Sequence, residues 1–117
     1  MKIHTYLNPN AQGFIQQTEH HLGETAAQAA QAGANSILTE QELGNPFDEG
    51  LERIWKTHEG NRKHQILATI AAHIQHSDNV TGTIENWFKT NYNQPQASFD
   101  SPQQAIDAFF QAIHTIN

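Results

Sequence analysis

Histidine and carboxylate residues at helical spacing are the ones in this chain that could bind a metal ion. His20 and Glu24 are four residues apart, and His73 and His76 are three apart, so each pair would share one face of a helix. A zinc site needs three or four such ligands, and no His-Glu-x-x-His motif supplies the others. We therefore predict solvent-facing or partly packed histidines, no metal site and no cofactor. A metal-dependent enzyme that uses these four residues stays open as one hypothesis for function, ranked below the two binding hypotheses that are derived from charge below.

Paired carboxylates could also carry out general acid and base catalysis, which needs two such groups in different environments. The candidate pairs are Glu40 with Glu42 and Asp48 with Glu52. Neither pair lies on an evident apolar pocket wall, and acidic residues favour the first turn of a helix for electrostatic reasons alone. The chain also has no cysteine, no phosphate-binding loop and no Gly-x-Ser-x-Gly motif. We expect no catalytic residues, and hence a protein that is not an enzyme.

Apolar residues recur at the three- and four-residue steps that are typical of helices. The predicted helices span about residues 9–32, 47–58, 62–75 and 102–116, and a further helix starts near Val80. The first of them can break at Gly23. The helix from Val80 follows a predicted cap at Ser77-Asp78. We predict a loop over residues 92–99 and at most one helical turn over residues 39–42. Residues 2–7 are predicted to form a short extended arm. The alanine-rich stretch 26–34 would let a neighbouring helix approach closely.

The predicted fold is mostly α, a compact single-domain bundle of five or six helices over residues 1–117, with a short extended segment at the N-terminus. A chain of this length suits one domain. No run of about 20 apolar residues could span a membrane, and the first ten residues contain no apolar stretch of a secretory signal. The default expectation is a soluble, cytoplasmic protein without disulfide bonds.

Charge is distributed unevenly along the sequence. The net charge is −6, and residues 3–52 contain seven acidic residues but no lysine or arginine. Residues 53–75 reverse the balance, with four basic residues and one acidic residue. An acidic excess of this kind argues against direct binding to nucleic acid.

Local pairing and helix capping account for part of these charges. Four acids precede a base by four residues, the favourable order within a helix; the pairs are Glu49–Arg53, Glu52–Lys56, Glu59–Lys63 and Glu85–Lys89. Four more acids have positions suited to helix starts, namely Glu42, Asp48, Asp78 and Asp100. Glu19, Glu24, Glu40 and Asp107 have no structural role that the sequence predicts.

Carboxylates three or four residues apart on a helix are about 5 to 6 Å apart, similar to the spacing of phosphates on a duplex. Together with the chain length, the lack of cysteine, the acidic N-terminal half and the absence of catalytic motifs, this resembles the small bacterial DNA-mimic proteins, in particular a neisserial one that occupies the DNA-binding surface of the histone-like protein HU. The resemblance implies a monomeric inhibitor of HU–DNA binding. By position, the implied partner-binding residues are Glu19, Glu24, Glu40, Glu42, Asp48 and Glu49.

Two alternatives stay open. An ordinary acidic surface without a specific partner is the simpler one. The other is an immunity or antitoxin-like protein that neutralises a cationic nuclease. Such a protein would need exposed aromatic anchors at the centre of its acidic surface, and Tyr6, Trp55 and Trp87 are the candidates.

Overall fold

The computed structural model describes residues 7–36, 51–77 and 79–116, and every regular element in these ranges is an α-helix. The helices are α1 (Pro9–Leu22), α2 (Glu24–Ala34), α3 (Glu52–Thr57), α4 (Arg62–Gln75), α5 (Val80–Asn91) and α6 (Pro102–Ile113). The predicted helical bundle is confirmed. No described helix combines the length and hydrophobicity that crossing a lipid bilayer requires. Residues 2–6 of the predicted arm and the predicted turn at 39–42 lie outside the described residues.

Two helix starts follow the cap-and-proline pattern of the sequence. The side chain of Asn8 accepts a hydrogen bond from the Ala11 N–H at 2.7 Å, and the Ser101 hydroxyl accepts one from the Gln104 N–H at 3.2 Å. In both helices a proline occupies the first turn, where its missing N–H has no partner to lose. These caps were predicted and are confirmed.

The cap predicted for α5 was wrong by one or two residues. Asn79 is the N-cap, and its side chain accepts a hydrogen bond from the Gly82 N–H at 2.8 Å. Ser77 instead accepts a hydrogen bond from the Asn79 N–H at 3.1 Å. Because the helix begins at Val80, only the residue just before it can reach the exposed N–H groups of the first turn.

Gly23 divides the predicted first helix into α1 and α2. Its φ of 97° lies in the left-handed region that favours glycine. The Gly23 N–H still donates to the Glu19 carbonyl at 2.9 Å, and the Gly23 carbonyl accepts from the Ala27 N–H at 3.1 Å. The two helices therefore meet at a sharp corner that is hydrogen-bonded on both sides.

Helix α4 is the centre of the bundle. Residues 66–72 are all buried, because α1, α2, α3 and α5 all pack against this helix. Helix α2 approaches α4 closely at Gly33, where an added Cβ atom would lie 2.5 Å from the Ala68 Cα. The close helix approach predicted from the alanine-rich stretch is confirmed.

Aromatic side chains join the first helix to the last. Phe14 is fully buried, and its ring centroid lies 5.7 Å from that of Phe109 and 5.6 Å from that of Phe110. Phe109 also meets Trp87 edge-on at 5.0 Å. These rings belong to the main hydrophobic core, which α1, α2, α4, α5 and α6 share.

Helix α3 packs on α4 through a second, smaller core. Leu51 and Ile54 are buried against alanines of α4. The Trp55 indole N–H donates to the Thr69 hydroxyl at 2.9 Å, and the Gln65 side-chain amide donates to the Trp55 carbonyl at 3.0 Å. These polar contacts hold α3 in one register against α4.

Candidate functional site

Two of the six predicted partner-binding residues lie at the corner between α1 and α2. Glu19 is in the last turn of α1 and Glu24 is the first residue of α2, so they flank Gly23, and both are exposed. We call residues 19–24 the acidic corner. The other predicted contacts fall outside the described residues; they are Glu40, Glu42, Asp48 and Glu49.

The carboxylates of the acidic corner face solvent. Glu24 accepts a hydrogen bond from the Gln28 side chain at 3.5 Å, and its place at the start of α2 is favourable for a negative charge. Within the described ranges, neither Glu19 nor Glu24 forms an ion pair with a lysine or arginine. No described lysine or arginine therefore neutralises these two charges.

Four of the six lysine and arginine residues lie on α3 and the first turn of α4; they are Arg53, Lys56, Arg62 and Lys63. Lys56 pairs with Glu52 at 3.5 Å, as predicted, but both side chains are more than 70% exposed (73% and 79%). Such a pair contributes about 0–1 kcal/mol. The pair predicted between Glu59 and Lys63 does not form in the described part of the chain.

The predicted pair between Glu85 and Lys89 was also wrong. Glu85 instead accepts a hydrogen bond from the Phe99 N–H at 2.8 Å. A backbone N–H in a loop needs a hydrogen-bond partner when it is taken out of water, and this carboxylate supplies one. Glu85 thereby ties the loop after α5 back to that helix.

A polar network beside the acidic corner was not predicted. Gln17 and Gln103 exchange two side-chain hydrogen bonds at 3.2 and 3.1 Å, although they are 86 residues apart. Gln103 also donates to Asp107 at 2.9 Å, which gives that carboxylate a structural role. Next to this network the ring of His21 stacks on Phe110, with centroids 4.7 Å apart. No local pattern could have indicated the contacts of Gln17 with Gln103 and of His21 with Phe110, because in each the partners lie on α1 and α6.

The histidines do not assemble a metal site in the described ranges. No group of three or more histidine, aspartate or glutamate side chains there could hold a metal ion. His20 instead meets His21 edge-on at 5.3 Å, and His58 meets His64 edge-on at 6.1 Å. The metal-dependent hypothesis has no ligand set in this part of the chain.

Two histidines make the stability of the fold depend on pH. Burial, and secondarily the neighbouring His64, lower the pKa of His58. Burial, and secondarily His76, lower the pKa of His73. Between the lowered pKa and the ordinary value of about 6.5, the unfolded chain binds more protons than the folded one, so stability falls as pH falls. The folded state keeps the full stability associated with neutral His58 and His73 above pH about 6.5. It loses that stability as the pH drops through the lowered pKa values of these two side chains.

We expect urea unfolding to give a lower free energy of unfolding at pH 5.5 than at pH 7.5. The double variant His58→Gln and His73→Gln should show a smaller difference between the two conditions, because neutral glutamine takes up no proton. An equal pH dependence in the variant and the natural sequence would show that other groups are responsible.

The tryptophans are not presented as binding anchors. Trp87 is 3% exposed and belongs to the main core, and Trp55 is partly buried and hydrogen-bonded to Thr69. The third candidate anchor, Tyr6, lies outside the described residues. The immunity-protein alternative therefore loses two of its three proposed anchors.

Comparisons with known proteins found no family model, no curated protein and no solved structure that matches this chain.

Proposed function

We propose that this protein is a non-enzymatic acidic protein that mimics DNA and occupies the DNA-binding surface of a basic nucleoid-associated protein such as HU. It acts in the cytoplasm as a monomer, and it blocks or modulates DNA binding by its partner. It contacts neither nucleic acid nor a membrane. The acidic corner is the described part of the contact surface, and Glu40, Glu42, Asp48 and Glu49 supply the rest.

One observation carries the proposal: the acidic corner is exposed in a stretch of sequence that has no lysine or arginine. Residues 3–52 contain seven acids and no lysine or arginine. Glu19 and Glu24 are exposed and, in the described ranges, unpaired with any base. A surface of this kind attracts a positively charged groove.

The physical basis is competition for the same cationic groove. A protein that binds DNA without reading its sequence makes most of its contacts with phosphates. Carboxylates can satisfy the same lysines and arginines without offering bases. Binding should therefore weaken with added salt and should exclude duplex DNA.

The test is a calorimetric titration of the protein into HU at low and high salt, repeated in the presence of competing duplex. We expect affinity to fall with salt and the duplex to be displaced. Binding that is independent of salt, or a ternary complex with DNA, would contradict the proposal.

Charge removal at the acidic corner tests the contact surface. The double variant Glu19→Gln and Glu24→Gln should bind HU about tenfold more weakly at low salt, which corresponds to about 1.4 kcal/mol. The control is Glu59→Gln with Asp100→Asn, which removes two exposed negative charges outside residues 3–52. It should bind as the natural sequence does. An equal loss in both double variants would mean that net charge, not the acidic corner, determines affinity.

A further inference from the structure

A groove lies on the face of the bundle that α5, the loop after it and α6 form together. Its volume is about 380 Å³, within the range of about 300–1,000 Å³ that small-molecule sites occupy. Three aromatic rings and two alanines line its apolar part; they are Phe88, Tyr92, Phe99, Ala108 and Ala112. The groove contains none of the acidic-corner residues, so its occupancy is independent of the proposed function.

The aromatic walls are held in place before any ligand arrives. The Phe88 ring meets Tyr92 edge-on at 5.4 Å and lies tilted against Phe99 at 5.5 Å. Tyr92 also stacks on Trp87, with ring centroids 5.4 Å apart. The Phe99 backbone is tied to Glu85 by a 2.8 Å hydrogen bond. Fixed walls reduce the ordering entropy that binding would otherwise cost.

The backbone between the walls is constrained by one residue with an unusual conformation. Asn93 has a φ of 54°, and it is the only described residue other than glycine with a positive φ. Its left-handed turn brings the Gln94 N–H back to the Phe88 carbonyl at 3.0 Å. Asparagine commonly adopts this conformation just after the C-cap of a helix, and here it ends α5. The turn positions Gln94 at the edge of the groove.

Polar groups at the edge of the groove define the chemistry of a ligand. The Thr115 hydroxyl donates to the Ala112 carbonyl at 2.6 Å, so its 3.0 Å contact with the Tyr92 hydroxyl must use the Tyr92 proton. The Tyr92 oxygen therefore keeps an acceptor position free. The side-chain amides of Gln94 and Gln111 also line the groove, and within the described residues they have no hydrogen-bond partner. Each supplies a donor and an acceptor.

No lining residue of this groove carries a charge, so a charged ligand would lose hydration without gaining an ionic partner. Aromatic rings favour a flat ligand that can stack or meet them edge-on. We infer that the groove binds a neutral, planar aromatic or heteroaromatic small molecule that carries a hydrogen-bond donor and an acceptor on one edge.

Benzamide is a suitable probe because it is neutral and planar and carries both hydrogen-bonding groups. In ¹H–¹⁵N correlation spectra of the full chain, we expect saturable shifts at residues 88–99 and 108–115, with a Kd on the order of 1 mM. Cyclohexanecarboxamide lacks the flat ring and benzoate carries a charge, so both should bind about tenfold more weakly or not at all. Equal binding of either control would contradict the ligand class, and absent or scattered shifts with benzamide would overturn the site.

Two variants locate the binding. Ala108→Leu fills the groove and Gln111→Leu removes one amide; each should weaken benzamide binding about tenfold or more. The matched control Ala32→Leu adds the same side chain at an exposed position of α2, and it should leave the affinity unchanged. Gln111 is exposed, so its replacement tests the site even if Ala108→Leu disturbs packing. Unchanged affinity in Gln111→Leu and Ala108→Leu would overturn the inference.

Discussion

Replacing Phe14 with alanine should lower the free energy of unfolding by about 3–5 kcal/mol. The ring is fully buried between Phe109 and Phe110, and its removal leaves a cavity that two helices from opposite ends of the chain would have to close. Total stability of a domain of this size is about 5–15 kcal/mol, so the variant would keep only part of it. Urea unfolding followed by circular dichroism measures the loss.

The neighbouring substitution Ile15→Ala is the control for Phe14→Ala. Ile15 is partly buried and packs at the edge of the same core. Ile15→Ala should therefore lower the free energy of unfolding by only about 1 kcal/mol. The slope of free energy against urea should stay the same in both variants, because neither changes how much surface unfolding exposes. A loss below about 1 kcal/mol for Phe14→Ala would mean that the ring does not join α1 to α6 as described.

Replacing Gly33 with alanine should destabilise the protein by about 1–3 kcal/mol or more, the typical effect of forcing extra atoms into a packed core. The new Cβ would lie 2.5 Å from the Ala68 Cα and closer still to the Ala68 carbonyl oxygen. These are backbone atoms, which no side-chain rotation can move away. Helices α2 and α4 would have to separate along part of their contact.

The same substitution at Gly13 should have the opposite sign. A Cβ on Gly13 meets nothing within 4 Å, and glycine inside a helix is less favourable than alanine by about 0.5–1 kcal/mol. Gly13→Ala should therefore stabilise the protein by about that amount. Thermal and urea unfolding of the two variants side by side check both signs. Equal changes in the free energy of unfolding of Gly13→Ala and Gly33→Ala would show that helix propensity, not the contact of α2 with α4, determines the effect of the substitution at Gly33.

Most of the helices could be predicted closely because their signals are local, although Leu51, predicted to lie inside the helix over 47–58, is the N-cap of α3. Asn8 and Ser101 each lie just before a proline, and Gly23 interrupts a helical pattern; cap geometry and backbone conformation depend only on neighbouring residues. The same reasoning predicted that the alanine-rich stretch would approach another helix, but not which one. That Ala68 is the partner of Gly33 depends on how the helices pack, which no local pattern contains.

The surface was predicted less well than the core. Glu85 and Lys89, four residues apart, were expected to pair, yet Glu85 bonds to a loop N–H. Asp107, for which no structural role was predicted, bonds to a glutamine. A surface ion pair is worth little in water, so a competing hydrogen-bond donor of moderate strength is enough to take Glu85 away from Lys89. The groove beside Tyr92 could not be predicted from sequence, because its walls are core-like aromatic residues that only the packing of α5 and α6 leaves partly open.

The contact of Phe14 with Phe109 and Phe110 has a consequence for synthesis of the protein. Helix α1 leaves the ribosome before α6, which supplies the rings that cover Phe14. Until then the nascent α1 has an uncovered aromatic face, a feature that promotes aggregation of incomplete chains. The bundle closes only after α6 clears the exit tunnel, so products that stop before α6 would leave that face uncovered.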